Sequence, residues 1–175
     1  MTYLEQKHLA LLKEAQRRGQ PDLENIRLCF EVLGLAAAID RACAVRLAPH
    51  RLSEGKFVLL FLLQGKKGGL APHELAERAG VTRATITGLL DGLERDGLIA
   101  RRQDSGDRRK AVISLTSAGD ALALDLFNEH SAWIASLFDG FDAQSRQLLS
   151  NLLQRAWQNI AADADRMNGV AGERS

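Results

Sequence analysis

Apolar residues recur along most of the chain at the spacing of a helix face, and they alternate with polar residues in only one short stretch. Between residues 82 and 97, for example, Ile86, Leu89, Leu90 and Leu93 fall at positions i, i+3, i+4 and i+7, which places them on one side of an α-helix. The whole pattern predicts four helices, this fifth helix, a hairpin of two strands and two long helices. We therefore expect a mainly α fold with one small β-hairpin.

Capping and breaking residues mark the ends of these elements. Thr2 and Glu5 match the capping box of a first helix of about four turns. Pro72 suits the first position of the short fourth helix, while Gly80 and Gly97 are suited to end the fourth and fifth helices. Residues whose side chains commonly cap helix N-termini precede the other predicted starts: Asp22 (for a helix to about Leu47), Ser53, Thr82, Thr116 or Ser117, and Asp142.

The predicted hairpin carries a concentration of positive charge. Its strands are Leu98–Gln103 and Ala111–Thr116, joined around a Ser105-Gly106 turn. The net charge of the chain is only +1, yet residues 101–110 hold five cations and two anions. The cations are Arg101, Arg102, Arg108, Arg109 and Lys110, and the anions are Asp104 and Asp107. Such a local excess favours a phosphate-bearing partner.

The residues before the hairpin have the pattern of a helix-turn-helix. The stretch HELAERAGVTRATITGLLDGLERDG combines a short helix, a turn containing Gly80 and a helix capped by Thr82. Five residues are spaced to hold the two helices together: Leu75, Ala76, Val81, Ile86 and Leu90. Arg83, Thr85 and Thr87, together with Thr82, lie near the start of the second helix, where such motifs meet base edges and phosphates. A basic hairpin directly after such a helix is typical of a wing.

This combination resembles the multiple antibiotic resistance regulator (MarR) family of winged-helix repressors. The resemblance covers about Ser53 to Gly119 in motif and the rest of the chain in helix order. The wing sequence DRRKAVISLTSAG fits the family pattern D-x-R-x-x-x-[LIV]-x-L-T-x-x-G at Asp107, Arg109, Ile113, Leu115, Thr116 and Gly119. The resemblance implies an obligate homodimer, wing arginines in minor grooves, and a pocket between the dimer helices and the DNA-binding lobe. It further implies an apolar or aromatic, often anionic, effector.

A winged helix-turn-helix lobe plus a helical dimerisation lobe is therefore the expected architecture. We assign residues 53–116 to the DNA-binding lobe, residues 1–52 and 117–167 to dimerisation, and residues 168–175 to a frayed tail. The expected protein is a cytoplasmic regulator that binds a pseudo-palindromic operator in double-stranded DNA as a homodimer. A small effector would release it, and no cofactor is expected.

In the wing, the expected roles divide between the minor groove and the phosphates. We expect Arg109 to enter a narrow minor groove, with Asp107 holding its guanidinium in line. Arg108 and Lys110 are expected to meet phosphates. The alternative is a solvated hairpin tip without a partner. Arg101 and Arg102 alternate faces of a strand, so that one of them can instead pair with Asp104 or Glu94.

Six residues are candidates for the effector pocket. Four apolar residues are candidates for its lining, although packing in the core explains each of them as well: Phe30, Leu33, Phe57 and Phe61. His50 or Arg51 is the candidate for meeting a carboxylate or phenolate at its rim.

Three other classes of function are alternatives to this interpretation. Enzymatic and metal chemistry have no support, because HELAE lacks the second histidine of a zinc motif and no histidine pairs with a nucleophile. A winged helix used only for protein–protein assembly would lack an operator. A thiol-based redox sensor would need Cys29 and Cys43 to pair between chains, since fourteen residues of helix separate them by about 21 Å.

Overall fold

The structure, a computed structural model of the chain, describes residues 4–66, 68–103 and 111–172. The elements follow the predicted order, and the mainly α fold with one hairpin is confirmed. They are α1 (Gln6–Arg17), α2 (Leu23–Leu47), a 3-10 turn (Ala48–His50), α3 (Glu54–Leu63), α4 (Pro72–Ala79), α5 (Arg83–Arg95), β1 (Ile99–Gln103), β2 (Ala111–Leu115), α6 (Ser117–Ser136) and α7 (Ala143–Gly172).

Four of the predicted caps hold their helices through side-chain hydrogen bonds. The Ser53 hydroxyl accepts from the Lys56 N–H at 3.4 Å, and the Thr82 hydroxyl accepts from the Thr85 N–H at 3.2 Å. Thr116 caps α6 and Asp142 caps α7 in the same way, at 3.0 and 2.7 Å. The starts of these helices are thus set locally, by a residue that satisfies an N–H group left open in the first turn.

Two predicted boundaries and one predicted cap are wrong. Helix α1 begins at Gln6 with Glu5 as its N-cap, and the Glu5 carboxylate pairs with Lys7 at 2.8 Å and with Arg41 at 3.1 Å. Thr2 lies outside the described residues. Asp22 precedes α2 as predicted, but its backbone is left-handed and its side chain makes no capping bond. Helix α7 continues through Gly172, so the predicted tail is helical over 168–172.

The chain divides into two compact units, one ending at Phe127 and the other starting at Asn128. The first unit has a core made mainly of leucine, which suits a sequence with 5% aromatic residues. Its most deeply buried side chains come from α2, α3, α4, α5 and β2: Leu47, Leu59, Leu60, Leu75, Leu90, Leu93 and Ile113. Burial of these side chains is the main stabilising contribution to this unit.

The two strands form an antiparallel ladder from Ile99 opposite Leu115 to Gln103 opposite Ala111. The structure adds a pairing that the sequence pattern does not predict, since Leu70 and Ile113 exchange two backbone hydrogen bonds of 2.9 and 2.8 Å. The segment before α4 is thereby tied to the wing. A side chain at Gly69 could not fit there, because its Cβ would overlap the Ile113 carbonyl oxygen.

In the second unit, α7 carries large apolar side chains that are exposed to solvent in the single chain. Leu148, Leu152, Trp157 and Ile160 are each at least half exposed in the single chain. Trp157, with three quarters of its surface exposed, is the most open of them. None of the helices in the described part of the chain is long and apolar enough to span a membrane.

Candidate nucleic-acid interface

Helices α4 and α5 form the predicted helix-turn-helix. Gly80 ends α4 with a left-handed backbone (φ 65°), and the Val81 N–H then donates to the Ala76 carbonyl at 3.0 Å. Four of the five residues predicted to join the helices are buried and Val81 is half-buried. Glycine is favoured at position 80 because a Cβ there would strain this backbone.

Ala71, a poor cap by itself, precedes α4. The Glu74 carboxylate accepts a hydrogen bond of 2.8 Å from the Ala71 N–H, which is one half of a capping box. Pro72 has no N–H to satisfy. The start of α4 is therefore held from within the helix, without a capping side chain at Ala71.

The first turns of α5 present the four residues predicted for this helix: Thr82, Arg83, Thr85 and Thr87 are all exposed. The hydroxyls of Thr82 and Thr85 lie 2.9 Å apart, and the Thr87 hydroxyl donates to the Arg83 carbonyl at 3.0 Å. These internal bonds fix the threonine rotamers and leave oxygen lone pairs free to accept further bonds. A rigid, polar and weakly basic face results.

Two of these residues line a cleft of about 520 Å³ at the foot of the wing. Arg83 and Thr87 share it with His73, Ile86 and Ala111. His73 belongs to the HELAE stretch, which lacks the second histidine of a zinc motif, and its place on this surface was not predicted from the sequence. Its position directly after Pro72, at the start of the first helix of the motif, could have indicated that it lies on this surface.

Arg101, on β1, joins the wing to α5 through ion pairs. Its guanidinium pairs with the Asp91 carboxylate and, at 3.0 Å, with the Glu94 carboxylate, both on α5. The predicted pairing with Glu94 is confirmed, whereas Asp91 was not anticipated. Arg102 is exposed and lines a second cleft of about 430 Å³ with Lys66. The wing tip, residues 104–110 with Asp107, Arg108, Arg109 and Lys110, lies outside the described residues.

The second half of the wing motif has a structural explanation in this chain. The side chain of Ile113, on β2, is fully buried. Thr116 accepts from the Gly119 N–H and donates to the Gly97 carbonyl at 2.8 Å, which joins the start of α6 to the end of α5. A Cβ at Gly119 would overlap the Leu98 carbonyl oxygen and lie 2.8 Å from its carbon. Thr116 and Gly119 therefore hold the start of α6 against Gly97 and Leu98, the residues that lead from α5 into the wing.

An ion pair between helices fixes the other end of α5. The Lys56 ammonium, on α3, donates to the Asp96 carboxylate at 2.7 Å and lowers the pKa of that carboxyl. Lys56 reaches Asp96 across Gly92, where a Cβ would lie 2.7 Å from the lysine Cε. A cation at a helix C-terminus also interacts favourably with the helix dipole.

The six candidate pocket residues are not assembled into one site by the contacts that the structure describes. Phe30 stacks on His8 with ring centres 4.6 Å apart, and Phe61 stacks on Phe127 at 4.7 Å. Phe57 is half-buried, and Leu33, His50 and Arg51 are exposed. Neither of the two clefts above is lined by any of these six residues. Within the described residues, no three His, Cys, Asp or Glu side chains are grouped to hold a metal ion.

The two cysteines of α2 differ in environment. Cys29 is exposed, whereas Cys43 is buried, and burial raises the pKa of the Cys43 thiol. A raised pKa leaves less of the reactive thiolate at neutral pH. This environment disfavours Cys43 as a redox sensor.

We expect Cys43 in a Cys29→Ser variant to react with a maleimide far more slowly in the folded protein than in urea, because burial limits both access and ionisation. Mass spectrometry at timed intervals measures the two rates. Equal rates would contradict this account of the thiol.

Comparison with known proteins agrees with this geometry. The MarR family model matches residues 52–111. The HTH-type transcriptional repressor YetL of Bacillus subtilis is 32% identical over 93% of this chain and 100% of its own length. The homoprotocatechuate degradative operon repressor of Escherichia coli is 32% identical over 71% of this chain and 81% of its own.

Solved structures share the fold. Streptococcus pneumoniae FabT in complex with DNA superposes with a TM-score of 0.66 at 22% identity, over 78% of this chain and 96% of that one. The MepR–DNA complex of S. aureus superposes with a TM-score of 0.62 at 20% identity, over 71% of this chain and 92% of that one. The chain thus belongs to the MarR family of winged helix-turn-helix transcriptional regulators, which bind DNA and are not enzymes.

Proposed function

We propose that this chain is a repressor that binds a pseudo-palindromic operator as a homodimer and is released by a small effector. The exposed Thr82–Thr87 face of α5, whose hydroxyls are held by hydrogen bonds within the helix, is the observation that carries the proposal. YetL is named a repressor, and FabT and MepR were solved in complex with DNA, which supports the same role here. The proposed site of action is the cytoplasm, with the chromosome.

On DNA, α5 would lie in the major groove, with Arg83, Thr85 and Thr87 facing base edges and Thr82 near a phosphate. The wing would reach the adjacent minor groove through Arg109, and Arg108 and Lys110 would meet phosphates. Ion pairs of Arg101 with α5 support this arrangement, because they couple the strand that leads into the wing to the recognition helix.

Exposed apolar faces support the homodimer. On α2, Leu28, Val32 and Leu35 recur at helical spacing and are each more than 40% exposed. On α7, Leu152 and Ile160 are also open. Faces of this kind need a partner, and a second copy of the chain is the one proposed. Residues 1–52 and 117–167 would then form the dimerisation lobe around the DNA-binding lobe of residues 53–116.

A double substitution Leu152→Asp with Ile160→Asp is expected to give a monomer, because two carboxylates would have to be buried in the dimer. The wild type should dimerise at micromolar concentration, and its unfolding midpoint should rise with protein concentration. Light scattering measures the mass. The matched control, Gln154→Asp with Gln158→Asp, adds the same charge on the opposite face of α7 and should remain dimeric. A dimeric Leu152→Asp, Ile160→Asp variant would contradict this interface.

An apolar or aromatic, anionic effector is the proposed ligand class. One relative represses an operon that degrades homoprotocatechuate, an aromatic acid, which supports this class. The proposed pocket uses Phe30, Leu33, Phe57 and Phe61, with His50 or Arg51 at its rim, where either could pair with a carboxylate. Binding there would change the separation of the two recognition helices without dissociating the dimer.

With homoprotocatechuate as the probe, operator affinity is expected to fall about 5- to 150-fold at unchanged dimer mass, the usual range of coupling between sites. Arg51→Gln should reduce this effect, whereas Arg27→Gln, which removes an exposed arginine of α2, should not. Fluorescence anisotropy with and without the probe measures both. Equal responses of the Arg51→Gln variant and the wild type would exclude Arg51. Loss of the response in a Cys29→Ser, Cys43→Ser variant would favour the thiol sensor.

Selection of duplexes from a random-sequence library tests the proposal as a whole. We expect enrichment of an inverted repeat whose half-sites are centred about one helical turn apart. Enrichment of no sequence would favour the assembly module without an operator.

A further inference from the structure

Gly88 lies in the middle of α5, where glycine destabilises a helix by about 1 kcal/mol relative to alanine. No atom of the described residues accounts for it, since a Cβ at this position would meet nothing within 4 Å. At Gly92, one turn later, a Cβ would lie 2.7 Å from the Lys56 Cε. The described fold therefore places a neighbour against Gly92 but none against Gly88.

On its N-terminal side, Gly88 is bordered by small side chains. Ala84 lies one turn before it and Thr87 directly before it, and all three residues are exposed. On the other side, the Asp91 carboxylate is held in an ion pair with β1. Thr87 directs its hydroxyl to the Arg83 carbonyl, which leaves its methyl group as the apolar part of the side chain. Gly88 thus forms the floor of a shallow notch, which the Ala84 and Thr87 methyl groups border.

An apolar notch on a recognition helix matches one group in the major groove. Of the four bases, only thymine presents an apolar group there, its C5-methyl, and alanine and threonine methyls are known contacts for it. A phosphate is a poor occupant, because glycine has no donor side chain and a mid-helix N–H is already bonded within the helix.

We propose that Gly88 is a specificity-determining residue that receives a thymine methyl group between Ala84 and Thr87 in each half-site. The absent Cβ lets the backbone of α5 approach the base edge closely. This inference rests on the proposed function, namely that α5 enters the major groove of an operator.

The test uses the duplex that the wild-type protein selects from a random library, with its thymines replaced by deoxyuridine one symmetric pair at a time. Deoxyuridine lacks only the methyl group. We expect one of these symmetric thymine pairs to stand out. Its replacement by deoxyuridine should reduce the affinity of the wild type about fourfold per half-site, the equivalent of one buried methyl group. For Gly88→Ala we expect at least a tenfold loss on the thymine duplex. The deoxyuridine duplex should restore part of it, because the added Cβ would occupy the space of the thymine methyl.

Thermal unfolding separates this effect from misfolding. Gly88→Ala should raise the melting temperature, since it improves helix propensity without meeting any neighbour among the described residues. An affinity loss in a variant of raised stability is therefore a contact effect. Similar binding of both duplexes by the wild type, or wild-type behaviour of Gly88→Ala, would overturn the inference and leave the proposed function intact. Failure of the wild type to select any duplex would contradict both.

Discussion

Arg109→Ala is expected to bind the selected operator about 5- to 150-fold more weakly than the wild type, a loss of about 1–3 kcal/mol. The physical reason is the narrow minor groove of A·T-rich DNA, whose negative potential attracts an inserted guanidinium. Asp107, two residues before it, would orient the guanidinium instead of opposing DNA. Because groove width depends on sequence, Arg109→Ala should also weaken the preference for flanking sequence.

Lys110→Ala is the matched comparison within the same wing. A phosphate contact carries no sequence information, so this variant should weaken binding to all duplexes alike and reduce the salt slope by about one contact. Anisotropy titrations on duplexes with altered flanks measure both variants, after circular dichroism shows them to be folded. Wild-type affinity and salt slope in Arg109→Ala would mean that the wing does not read DNA in this protein.

Gly119→Ala is expected to destabilise the chain by about 3 kcal/mol or more, because its Cβ would overlap backbone that cannot rotate away. In a chain of this size that corresponds to a fall of roughly 6–12 °C in the melting temperature. Gly88→Ala makes the same change in a helix with nothing within 4 Å and should raise it. A melting temperature for Gly119→Ala equal to the wild type would contradict the close approach of α6 to Leu98.

The features that the sequence predicted well are local ones. Thr82 and Gly80 bracket the turn of the helix-turn-helix, and both act through bonds or backbone angles within a few residues of themselves. A cap depends on an N–H two or three residues away, so its sequence signal is complete. The alternating strands and the local charge excess indicated the wing and its phosphate-bearing partner, and the family resemblance added the homodimer and the class of effector.

The features that the sequence missed are set by distant residues. Glu5 has a carboxylate that can close a capping box or pair with a cation, and it pairs with Lys7 nearby and with Arg41, which follows it by 36 residues. Leu70 pairs with Ile113 as a single residue, too short for any strand pattern. The effector pocket was hard to predict for the same reason. Phe61, a candidate for its lining, stacks on the distant residue Phe127, and this contact accounts for an aromatic residue at position 61 without a ligand. Apolar side chains look alike in sequence whether they line a core or a cleft.

Salt dependence of DNA binding tests the central claim, sequence-specific recognition by a winged helix, most directly. The affinity for the selected duplex and for a scrambled duplex of equal composition would be measured by anisotropy between about 50 and 200 mM salt. We expect a log–log slope of about −0.9 per phosphate contact on both duplexes and at least about 10³-fold tighter binding to the selected one. Equal affinities, or binding that does not respond to salt, would contradict it.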